Sequence, residues 1–284
     1  NVRIREHPAT QGNLATLRRR GVRFVGPNEG DMACGEWGLG RMAEPAEIVA
    51  ALEAYFASGA TAENKPLADV RALVTSGPTV EPIDPVRFIC NRSSGRQGHA
   101  IAAALAAAGA NTTLVSGPTA LPSPAGVQVV AVETAEEMLA ACQTALPVDV
   151  AVCAAAVCDW RVERSPTEKI KKEPGAPPPT LALAENPDIL ATLAGDGPRR
   201  PRLVIGFAAE TTAVVDNAKS KRVRKGCDWI IGNDVAPATG TFGGESNTVH
   251  LITGEGVEAW PPMSKEAVAA RLVEAIARTL GRPA

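Results

Sequence analysis

The sequence predicts an open α/β fold built on a mostly parallel sheet. Three observations support this prediction: short strand-like runs recur along the chain, helical patterns separate most of them, and glycine or proline bounds many of them. Such alternation is typical of βαβ units, whose parallel strands are buried by helices on both faces of the sheet. With 284 residues, 45% of them hydrophobic, the chain can bury a sizeable core. We therefore expect a Rossmann-like sheet with helices on both faces.

The first sixty residues have a different pattern from the rest. Their predicted elements are a helix at 10–20, a short strand at 22–26, a glycine-rich stretch without clear periodicity at 30–41 and a helix at 45–58. We therefore predict a short N-terminal α/β appendage over residues 1–58 and a linker over residues 59–67.

Residues 68–284 carry the regular alternation and are predicted to form the main domain. The predicted strands are 70–76, 112–116, 127–132, 148–154, 202–207, 228–232 and 248–253. The predicted helices are 94–109, 134–145, 187–195, 211–225 and 264–280, the last capped by Ser264. Residues 163–179 and 240–247 fit neither pattern, and long polar segments of this kind are often lids or binding loops.

The composition restricts the class of protein and its partners. The 29 basic and 31 acidic residues nearly cancel, whereas proteins that bind nucleic acid or a membrane surface usually have a basic excess. The six cysteines form no CxxC pair, which favours a reducing cytoplasm over a secreted, disulfide-bridged domain. No apolar run reaches the length that spans a bilayer. We expect a cytoplasmic protein without a nucleic-acid or membrane partner.

A polar loop at residues 91–96 has the sequence Asn-Arg-Ser-Ser-Gly-Arg. It leads into the predicted helix at 94–109, whose first residues it includes. Free backbone N–H groups and the positive end of a helix dipole favour an anion at such a position. The two arginines and the amide of Asn91 strengthen this interpretation. The alternative is a serine N-cap with solvated arginines, and the loop alone does not decide between the two.

A second candidate site follows the predicted strand at 148–154, where Asp159 comes after a run of small residues. Ligands of open α/β sheets bind beyond the carboxyl ends of the strands. Asp159 could therefore bind Mg²⁺ or accept a hydrogen bond from a ligand, and the small residues would let a flat ring approach the backbone. The alternative is a turn or N-cap carboxylate.

Two basic clusters follow, at residues 169–172 and at residues 219–225. The first lies on a proline-bounded loop that suits closure over phosphates. In the second, Lys221 and Lys225 are four residues apart and share a helix face. The alternatives are a solvated charge run and basic residues that complement a helix C-terminus.

Three further features each allow two interpretations. Asn186 and Asp188 lie at a predicted strand-to-helix turn, where they would cap the helix or bind a base edge. Phe207 ends a strand, where it would stack on a base or belong to the core. Cys34 lies among glycines and is either a reactive thiol or an inert one. The three histidines lie beside no serine or cysteine motif, which argues against a hydrolase triad.

Six segments, in chain order, resemble the motifs of one enzyme family. They read TSGPTVEPIDPVRFICNRSSG at 75–95, AAAVCDW at 154–160, KIKK at 169–172, NPD at 186–188, GFAAET at 206–211 and KRVRK at 221–225. Together they are similar to the ligase half of the bacterial bifunctional phosphopantothenoylcysteine decarboxylases/phosphopantothenate–cysteine ligases of coenzyme A synthesis. The resemblance covers about residues 68–281. Residues 1–58 resemble the C-terminal end of the flavin-dependent decarboxylase half.

The resemblance implies a two-step ligation. CTP, with Mg²⁺, activates the carboxylate of 4′-phosphopantothenate as an acyl-cytidylate, and the amine of L-cysteine then displaces CMP. Lys169 matches the lysine that completes the reaction, Asn91 matches the asparagine that handles phosphopantothenate, and Cys34 matches the proton-donating cysteine of the decarboxylase. The positions that match nucleotide-binding residues are Cys153, Ala154, Ala155, Asp159, Asn186, Pro187, Asp188, Ile189, Phe207, Lys221 and Lys225, and Asp159 also lies beside the metal.

The resemblance also implies a homodimer through the ligase domain and a higher oligomer in the intact parent protein. FMN belongs only to the decarboxylase portion, whose flavin-binding region and histidine are absent from this sequence, so we expect ligation without decarboxylation. Two departures occur. The chain begins Asn1-Val-Arg-Ile4-Arg5 where the decarboxylase usually reads Met-Asn-x-x-Met-Trp, and Cys158 replaces the usual alanine.

The sequence leaves two alternative functions open. A nucleotide-dependent oxidoreductase would share the sheet, but its GxGxxG motif is missing after the first strand, where the chain reads Ser76-Gly-Pro-Thr79. The second is a non-catalytic module that serves only in oligomer formation.

Overall fold

The computed structural model describes residues 4, 7–19, 22, 24–31, 35, 37–58, 65–172, 175, 177–234 and 246–280. The chain divides into two compact units, Asn1–Asn64 and Lys65–Ala284. Among the described residues, no helix is both long and apolar enough to cross a lipid bilayer.

The described residues of the first unit include two helices and a β-hairpin. In chain order its elements are α1 (Pro8–Arg19), β1 (Asn28–Asp31), β2 (Trp37–Arg41) and α2 (Pro45–Ser58). The strands β1 and β2 pair in antiparallel fashion, with Gly30 opposite Gly38. Because glycines give a strand no alternation of apolar and polar side chains, the sequence pattern at 30–41 hid this hairpin.

The predicted strand at 22–26 is wrong. Its described residues lie outside any strand, and the first strand begins instead at Asn28. The side chains of Val22, Phe24 and Val25 are all exposed, so the apolar run has no sheet to bury it. Pro27, which follows the run, also lacks the N–H that a ladder needs.

The second unit is built around an eight-stranded sheet in the order β7-β6-β3-β8-β11-β12-β14-β15. Its strands are β3 (Arg71–Ser76), β6 (Asn111–Ser116), β7 (Val127–Ala131), β8 (Val150–Cys153), β11 (Leu203–Glu210), β12 (Trp229–Asp234), β14 (Val249–Ile252) and β15 (Val257–Ala259). Its helices are α3 (Arg96–Ala107), α4 (Ala135–Ala145), α5 (Ile189–Ala194), α6 (Val214–Lys225) and α7 (Lys265–Leu280). The predicted α/β fold with a mostly parallel sheet is confirmed.

The order of the strands determines where a ligand can bind. The strands from β7 to β12 pair in parallel, and only β14 and β15 are antiparallel to their neighbours. The chain runs outward from β3 through β6 and β7, then returns to β8 on the other side of β3. The reversal between β3 and β8 is a topological switch point, where the loops that leave the two strand ends diverge and leave a crevice.

Helices cover both faces of the sheet, as the alternation of side chains along β3 illustrates. Val74 belongs to a buried cluster with Ile101 of α3 and Leu272 of α7. Leu73, the preceding residue, belongs to a second cluster with Met138 of α4. Leu73 is completely buried, and truncating a core leucine of this kind to alanine typically costs about 2–5 kcal/mol.

Two small antiparallel pairs, which the sequence did not predict, accompany the large sheet. They are β4 (Val80–Pro82) with β5 (Phe88–Cys90), and β9 (Trp160–Val162) with β10 (Leu183–Glu185). Strands of three residues are too short to show a periodicity. A further short pair joins β13 (Ser246–Asn247) to β16 (Met263–Ser264).

Candidate functional site

Two adjoining cavities lie beyond the carboxyl ends of β3 and β8, at the switch point of the sheet. The first cavity has a volume of about 360 Å³ and the second about 470 Å³. Both are lined by Ala155, Val157, Asp159, Phe207 and Lys221, which therefore form a shared wall. The first cavity is also lined by Thr75, Cys153, Cys158, Asn186, Pro187, Asp188, Ile189 and Lys225. The second is also lined by residues 91–98, Ala154, Asn233 and Lys265.

The segment at 154–158 is held against the turn that follows β3. The Ala156 N–H donates to the carbonyl of Gly77 at 2.9 Å, and the Cys158 N–H donates to Oγ1 of Thr79 at 3.0 Å. Gly77 has φ +75°, and a Cβ there would lie 2.9 Å from the carbonyl oxygen of Gly117, so the turn requires glycine. These contacts fix the backbone that carries Asp159 at the shared wall.

The turn at 186–188 caps the helix that follows it, which is one of the two roles that the sequence predicted. The side chain of Asp188 accepts a hydrogen bond from the Ala191 N–H at 3.0 Å and caps α5. Asn186 instead binds backbone, donating from Nδ2 to the carbonyl of Cys158 at 3.0 Å. Both side chains line the first cavity, so the turn is both a helix start and part of the cavity wall.

The two lysines of α6 also line the first cavity, on one helix face as predicted. Lys221 Nζ donates to the carbonyl of Phe207 at 2.8 Å, and Lys225 forms a salt bridge with Asp188. Burial, with a contribution from the neighbouring charge of Lys225, lowers the pKa of Lys221. Burial alone would raise the pKa of Asp188, but the hydrogen bonds from Lys225 and Ala191 outweigh it and lower this pKa. A polyanion entering the cavity would meet both lysines.

The predicted anion-binding loop at 91–96 lines the second cavity. Asn91 donates from Nδ2 to the carbonyl of Val157 at 2.9 Å, which ties the loop to the shared wall. Gly95 is the N-cap of α3, with φ +72° and no side-chain cap. A Cβ on Gly95 would lie 2.6 Å from Cγ2 of Thr119, which explains the glycine. The first turn of α3 therefore directs its uncapped end at the second cavity.

Lys169 is placed outside both cavities. It is exposed, and it lies next to Ile170, which is tethered through its backbone. The Ile170 N–H donates to Oδ2 of Asp84 at 3.1 Å, and Arg87 donates from Nη2 to the Ile170 carbonyl at 2.9 Å. The hydrogen bond from Arg87 holds the pKa of the buried Asp84 well below its usual range. The role of Lys169 remains a prediction.

The remaining predicted residues divide into three groups. Phe207 packs against the hydrophobic core and lines both cavities, so both of the interpretations considered for it stay open. Burial raises the pKa of the Cys153 and Cys158 thiols, so both stay protonated at neutral pH. Cys34 lies outside the described residues.

Within the described part of the chain, no group of three or more histidine, cysteine, aspartate or glutamate side chains is arranged to hold a metal ion. Mg²⁺ usually binds through one or two carboxylates together with substrate phosphates. Asp159 at the shared wall fits that kind of partial site.

Sequence reasoning missed several polar residues of the cavities, including Thr75, Glu185, Asn233 and Lys265. Thr75, whose Oγ1 accepts a hydrogen bond from the Ala155 N–H at 3.2 Å, lies within the buried run of β3 and so resembles a core residue. Asn233 is the second-to-last residue of β12, close to the strand end where ligand-binding residues of parallel sheets are common. Lys265 is a cation at the first residue of a helix, where its charge opposes the helix dipole. This unfavourable placement can be seen in the sequence and could have marked the residue.

A cation-rich crevice at the switch point of a Rossmann-like sheet is typical of the nucleotide-binding class of α/β proteins. Residues 67–280 match the DFP family, described as the DNA/pantothenate metabolism flavoprotein C-terminal domain. The chain is 40% identical over 282 residues to the coenzyme A biosynthesis bifunctional protein CoaBC of Vibrio vulnificus (strain YJ016), covering 99% of this chain and 69% of that protein. The chain therefore belongs to the CoaBC family of coenzyme A biosynthesis enzymes.

Solved structures agree with this assignment. The crystal structure of the C-terminal domain of a CoaBC protein is 37% identical, with a TM-score of 0.63, and the match covers 76% of this chain and 98% of that one. A Cab2 variant in complex with phosphopantothenate-cysteine is 18% identical, with a TM-score of 0.58, covering 84% of this chain and 95% of that one. At this identity the second likeness shows the fold alone.

The family match also corrects one prediction. It begins at residue 67 and corresponds to the C-terminal, phosphopantothenate–cysteine ligase half of CoaBC. It does not support the expectation that residues 1–58 are a remnant of a decarboxylase, because those residues lie outside the matched domain.

Proposed function

We propose that this chain joins 4′-phosphopantothenate to L-cysteine at the expense of CTP. The observation that carries the proposal is the pair of cavities that share the wall around Asp159 and Lys221. One ligand with phosphates would lie against Lys221 and Lys225, and a second anionic ligand would lie against the loop at 91–98. Adjoining sites for two anions suit a reaction that joins a nucleotide to an acid.

The chemistry requires such an arrangement. A carboxylate has no adequate leaving group, so an oxygen of the phosphopantothenate carboxylate attacks the α-phosphorus of CTP and the bond to the β-phosphate oxygen breaks. Pyrophosphate leaves, and an acyl-cytidylate remains. The amine of cysteine then attacks the acyl carbon, the bond to the cytidylate oxygen breaks, and CMP departs with the electron pair while the amine loses a proton.

The lysines of the first cavity would stabilise the first step. Negative charge accumulates on the departing pyrophosphate, and a cation that is already positioned lowers the energy of that state without further reorganisation. Lys221 is held by the Phe207 carbonyl and Lys225 by Asp188, so both ammonium groups are positioned before a ligand arrives. Asp159 would hold Mg²⁺ bound to the nucleotide, and this ion supplies further charge stabilisation.

The shared wall would receive the reacting groups. Ala154, Ala155 and Ala156 offer only small side chains at the junction of the cavities, so the cytidylate could approach the backbone closely. Phe207, which lines both cavities, offers an apolar face to the base or to the pantothenate chain. Lys169 would then need to approach from its loop to act on the acyl-cytidylate.

Pyrophosphate release tests the proposal. The purified chain should release pyrophosphate from CTP only when 4′-phosphopantothenate is present, and cysteine should then yield CMP and phosphopantothenoylcysteine. Release without the acid, or none with all three substrates and Mg²⁺, would refute it. Titration with NADH and NADPH serves as the control for the oxidoreductase alternative, and we expect no saturable change in nicotinamide fluorescence.

A further inference from the structure

Arg161 lies on β9, lines neither of the two cavities, and contacts the turn at 186–188 from outside them. Its nitrogen Nη1 donates one hydrogen to the carbonyl of Glu185 and the other to Oδ1 of Asn186, at 3.5 Å. Its nitrogen Nη2 forms a salt bridge with Oε1 of Glu136, on α4, at 3.1 Å. The side chain is only 32% exposed. A single guanidinium therefore joins α4 to the turn that borders the first cavity.

Asn186 in turn binds the backbone that carries Asp159. Its N–H donates to the carbonyl of Asp159 at 2.9 Å, and its Nδ2 donates to the carbonyl of Cys158 at 3.0 Å. Its remaining polar atom, Oδ1, accepts the hydrogen bond from Arg161. Asn186 therefore connects the turn at 186–188 to residues 158–159, and both ends of its amide are engaged in doing so.

Arg161 determines the orientation of the Asn186 amide. A guanidinium only donates hydrogen bonds, and a backbone carbonyl only accepts them. The amide satisfies both neighbours when Oδ1 faces Arg161 and Nδ2 faces the carbonyl of Cys158. In the opposite orientation each polar atom of the amide would face a group of its own kind. Without the guanidinium this preference weakens, and the hydrogen bond from Nδ2 to the Cys158 carbonyl weakens with it.

The backbone that Asn186 holds places a carboxylate in the site. Asp159 lines both cavities and is the residue proposed to hold Mg²⁺ bound to the nucleotide. Side chains that orient the ligands of a metal ion, without touching the ion, typically change metal affinity or activity by about 10- to 100-fold when they are mutated. Asn186 and Arg161 stand in this relation to Asp159.

We propose that Arg161 is a positioning residue of the nucleotide site, which acts through Asn186 on Asp159. This inference rests on the proposed function. The guanidinium fixes the amide of Asn186, and the amide fixes the backbone that places the Asp159 carboxylate at the shared wall. Loss of Arg161 therefore weakens binding of the Mg²⁺ complex of CTP. Binding of 4′-phosphopantothenate is unaffected, because neither Arg161 nor Asn186 lines the second cavity.

Calorimetric titration of CTP in a double-mutant cycle tests this inference. In the presence of Mg²⁺ we expect Arg161→Gln and Asn186→Ala each to raise the dissociation constant of CTP about tenfold. The double variant should bind no more weakly than Asn186→Ala alone, because the arginine acts through the amide. Without Mg²⁺, wild type and Arg161→Gln should bind CTP about equally.

Two further variants separate positioning from other roles of the arginine. Arg164→Gln is the matched control, since Arg164 is an exposed arginine three residues further on that lines neither cavity. Glu136→Gln removes the salt bridge to α4 but keeps the contact between Arg161 and Asn186. Both variants should bind CTP with the affinity of the wild type.

Each outcome of the titrations decides the inference. An unchanged dissociation constant in Arg161→Gln, additive losses in the double variant, or the same loss without Mg²⁺ would overturn it. So would an equal loss for 4′-phosphopantothenate, or a loss in Glu136→Gln as large as that in Arg161→Gln. A wild-type chain that binds no CTP would overturn both this inference and the proposed ligation. If CTP binding follows the expected pattern but no pyrophosphate is released, the positioning role stands and the ligation fails.

Thermal unfolding of every variant identifies one that misfolds. If Arg161→Gln does not fold, Arg161→Lys replaces it in the cycle, because a single ammonium cannot hold the Glu185 carbonyl, the Asn186 amide and Glu136 together. The same loss of CTP affinity without additivity is then expected, and additive losses would overturn the inference.

Discussion

Lys225 forms a salt bridge with Asp188, the same carboxylate that accepts the Ala191 N–H and caps α5. One carboxylate therefore fixes both a helix start and the position of a lysine in the first cavity. A triphosphate entering this cavity must compete with Asp188 for Lys225, whereas Lys221 donates its hydrogen bond to the neutral carbonyl of Phe207. The two lysines should therefore contribute unequally to phosphate binding.

Lys221→Ala and Lys225→Ala should each weaken CTP binding more than CMP binding. CMP lacks the β- and γ-phosphates, so it lacks the charge that these lysines are proposed to contact. Losing one charge-assisted contact costs about 1.5–3 kcal/mol, roughly ten- to a hundredfold in affinity. We expect the larger loss for Lys221. Calorimetric titration of both nucleotides checks this, with Lys219→Ala as the control, and equal losses for CTP and CMP would remove these lysines from the triphosphate site.

CTP binding should weaken as the pH rises through the alkaline range. Only protonated Lys221 attracts phosphates, and its pKa lies below the ordinary lysine value of 10.5. Between the folded-state pKa and the ordinary value, the unfolded chain binds more protons than the folded chain. The unfavourable contribution of Lys221 to the stability of the fold therefore diminishes as the pH rises through this range. The affinity for CTP falls over the same range. Titrations across this range check the sign. Lys221→Arg should remove most of the pH dependence, and a flat profile in the wild type would contradict the assignment.

Asp84→Asn should loosen the loop that carries Lys169. The carboxylate of Asp84 accepts hydrogen bonds from the backbone of Val86, Arg87 and Ile170 and pairs with the Arg87 guanidinium. An amide lacks the negative charge and one acceptor oxygen, so the ion pair with Arg87 and part of the backbone hydrogen bonding are lost. Faster hydrogen exchange and faster tryptic cleavage at residues 169–172 are the expected results.

The same contacts make this loop sensitive to acid. The pKa of Asp84 is lowered in the fold, so its stabilisation is present above the ordinary value of 3.8 and is lost as the pH falls through the folded-state pKa. Asp69→Asn, a surface change remote in sequence from the loop, serves as the control variant. Unchanged exchange at residues 169–172 in Asp84→Asn would show that Asp84 does not hold the loop.

Lys169→Gln should uncouple the two half-reactions. Lys169 lines neither cavity, so nucleotide binding should change little, whereas transfer from the acyl-cytidylate to cysteine should slow strongly. Single-turnover measurements of pyrophosphate release and of product formation separate the two steps. Lys171→Gln, which removes an equivalent charge from the same loop, is the control. A variant that fails to bind CTP yet transfers preformed intermediate normally would contradict the assignment.

The large elements could be predicted from the sequence because each carries a strong local pattern. The strand at 71–76 carries the buried apolar run 72–74 and is followed by Gly77 and Pro78, and Ser264 marks the start of α7. The small pairs β4–β5 and β9–β10 could not be predicted, because each of their strands has only three residues and is too short to show a periodicity. The hairpin at 28–41 was hidden by its glycines.

The candidate site also combines residues whose placement could be predicted from the sequence with residues whose placement could not. Asp159, Lys221 and Lys225 follow strand ends or share a helix face, and such relationships can be derived from spacing. Lys265 reaches the second cavity only because α7 packs beside α3, an arrangement that no local pattern contains. For Lys169 the sequence predicted a loop that closes over the site. The fold instead tethers this loop to Asp84 through the backbone of Ile170, a contact that the local sequence does not reveal.

Trapping of the acyl-cytidylate tests the central claim most directly. The chain is incubated with CTP, Mg²⁺ and 4′-phosphopantothenate without cysteine, and the mixture is examined by mass spectrometry before and after cysteine is added. We predict an adduct of phosphopantothenate and CMP that forms with an equivalent of pyrophosphate and disappears when cysteine yields phosphopantothenoylcysteine and CMP. Turnover that produces CDP and phosphate, or ligation without a cytidylate adduct in rapid-quench samples, would contradict the account.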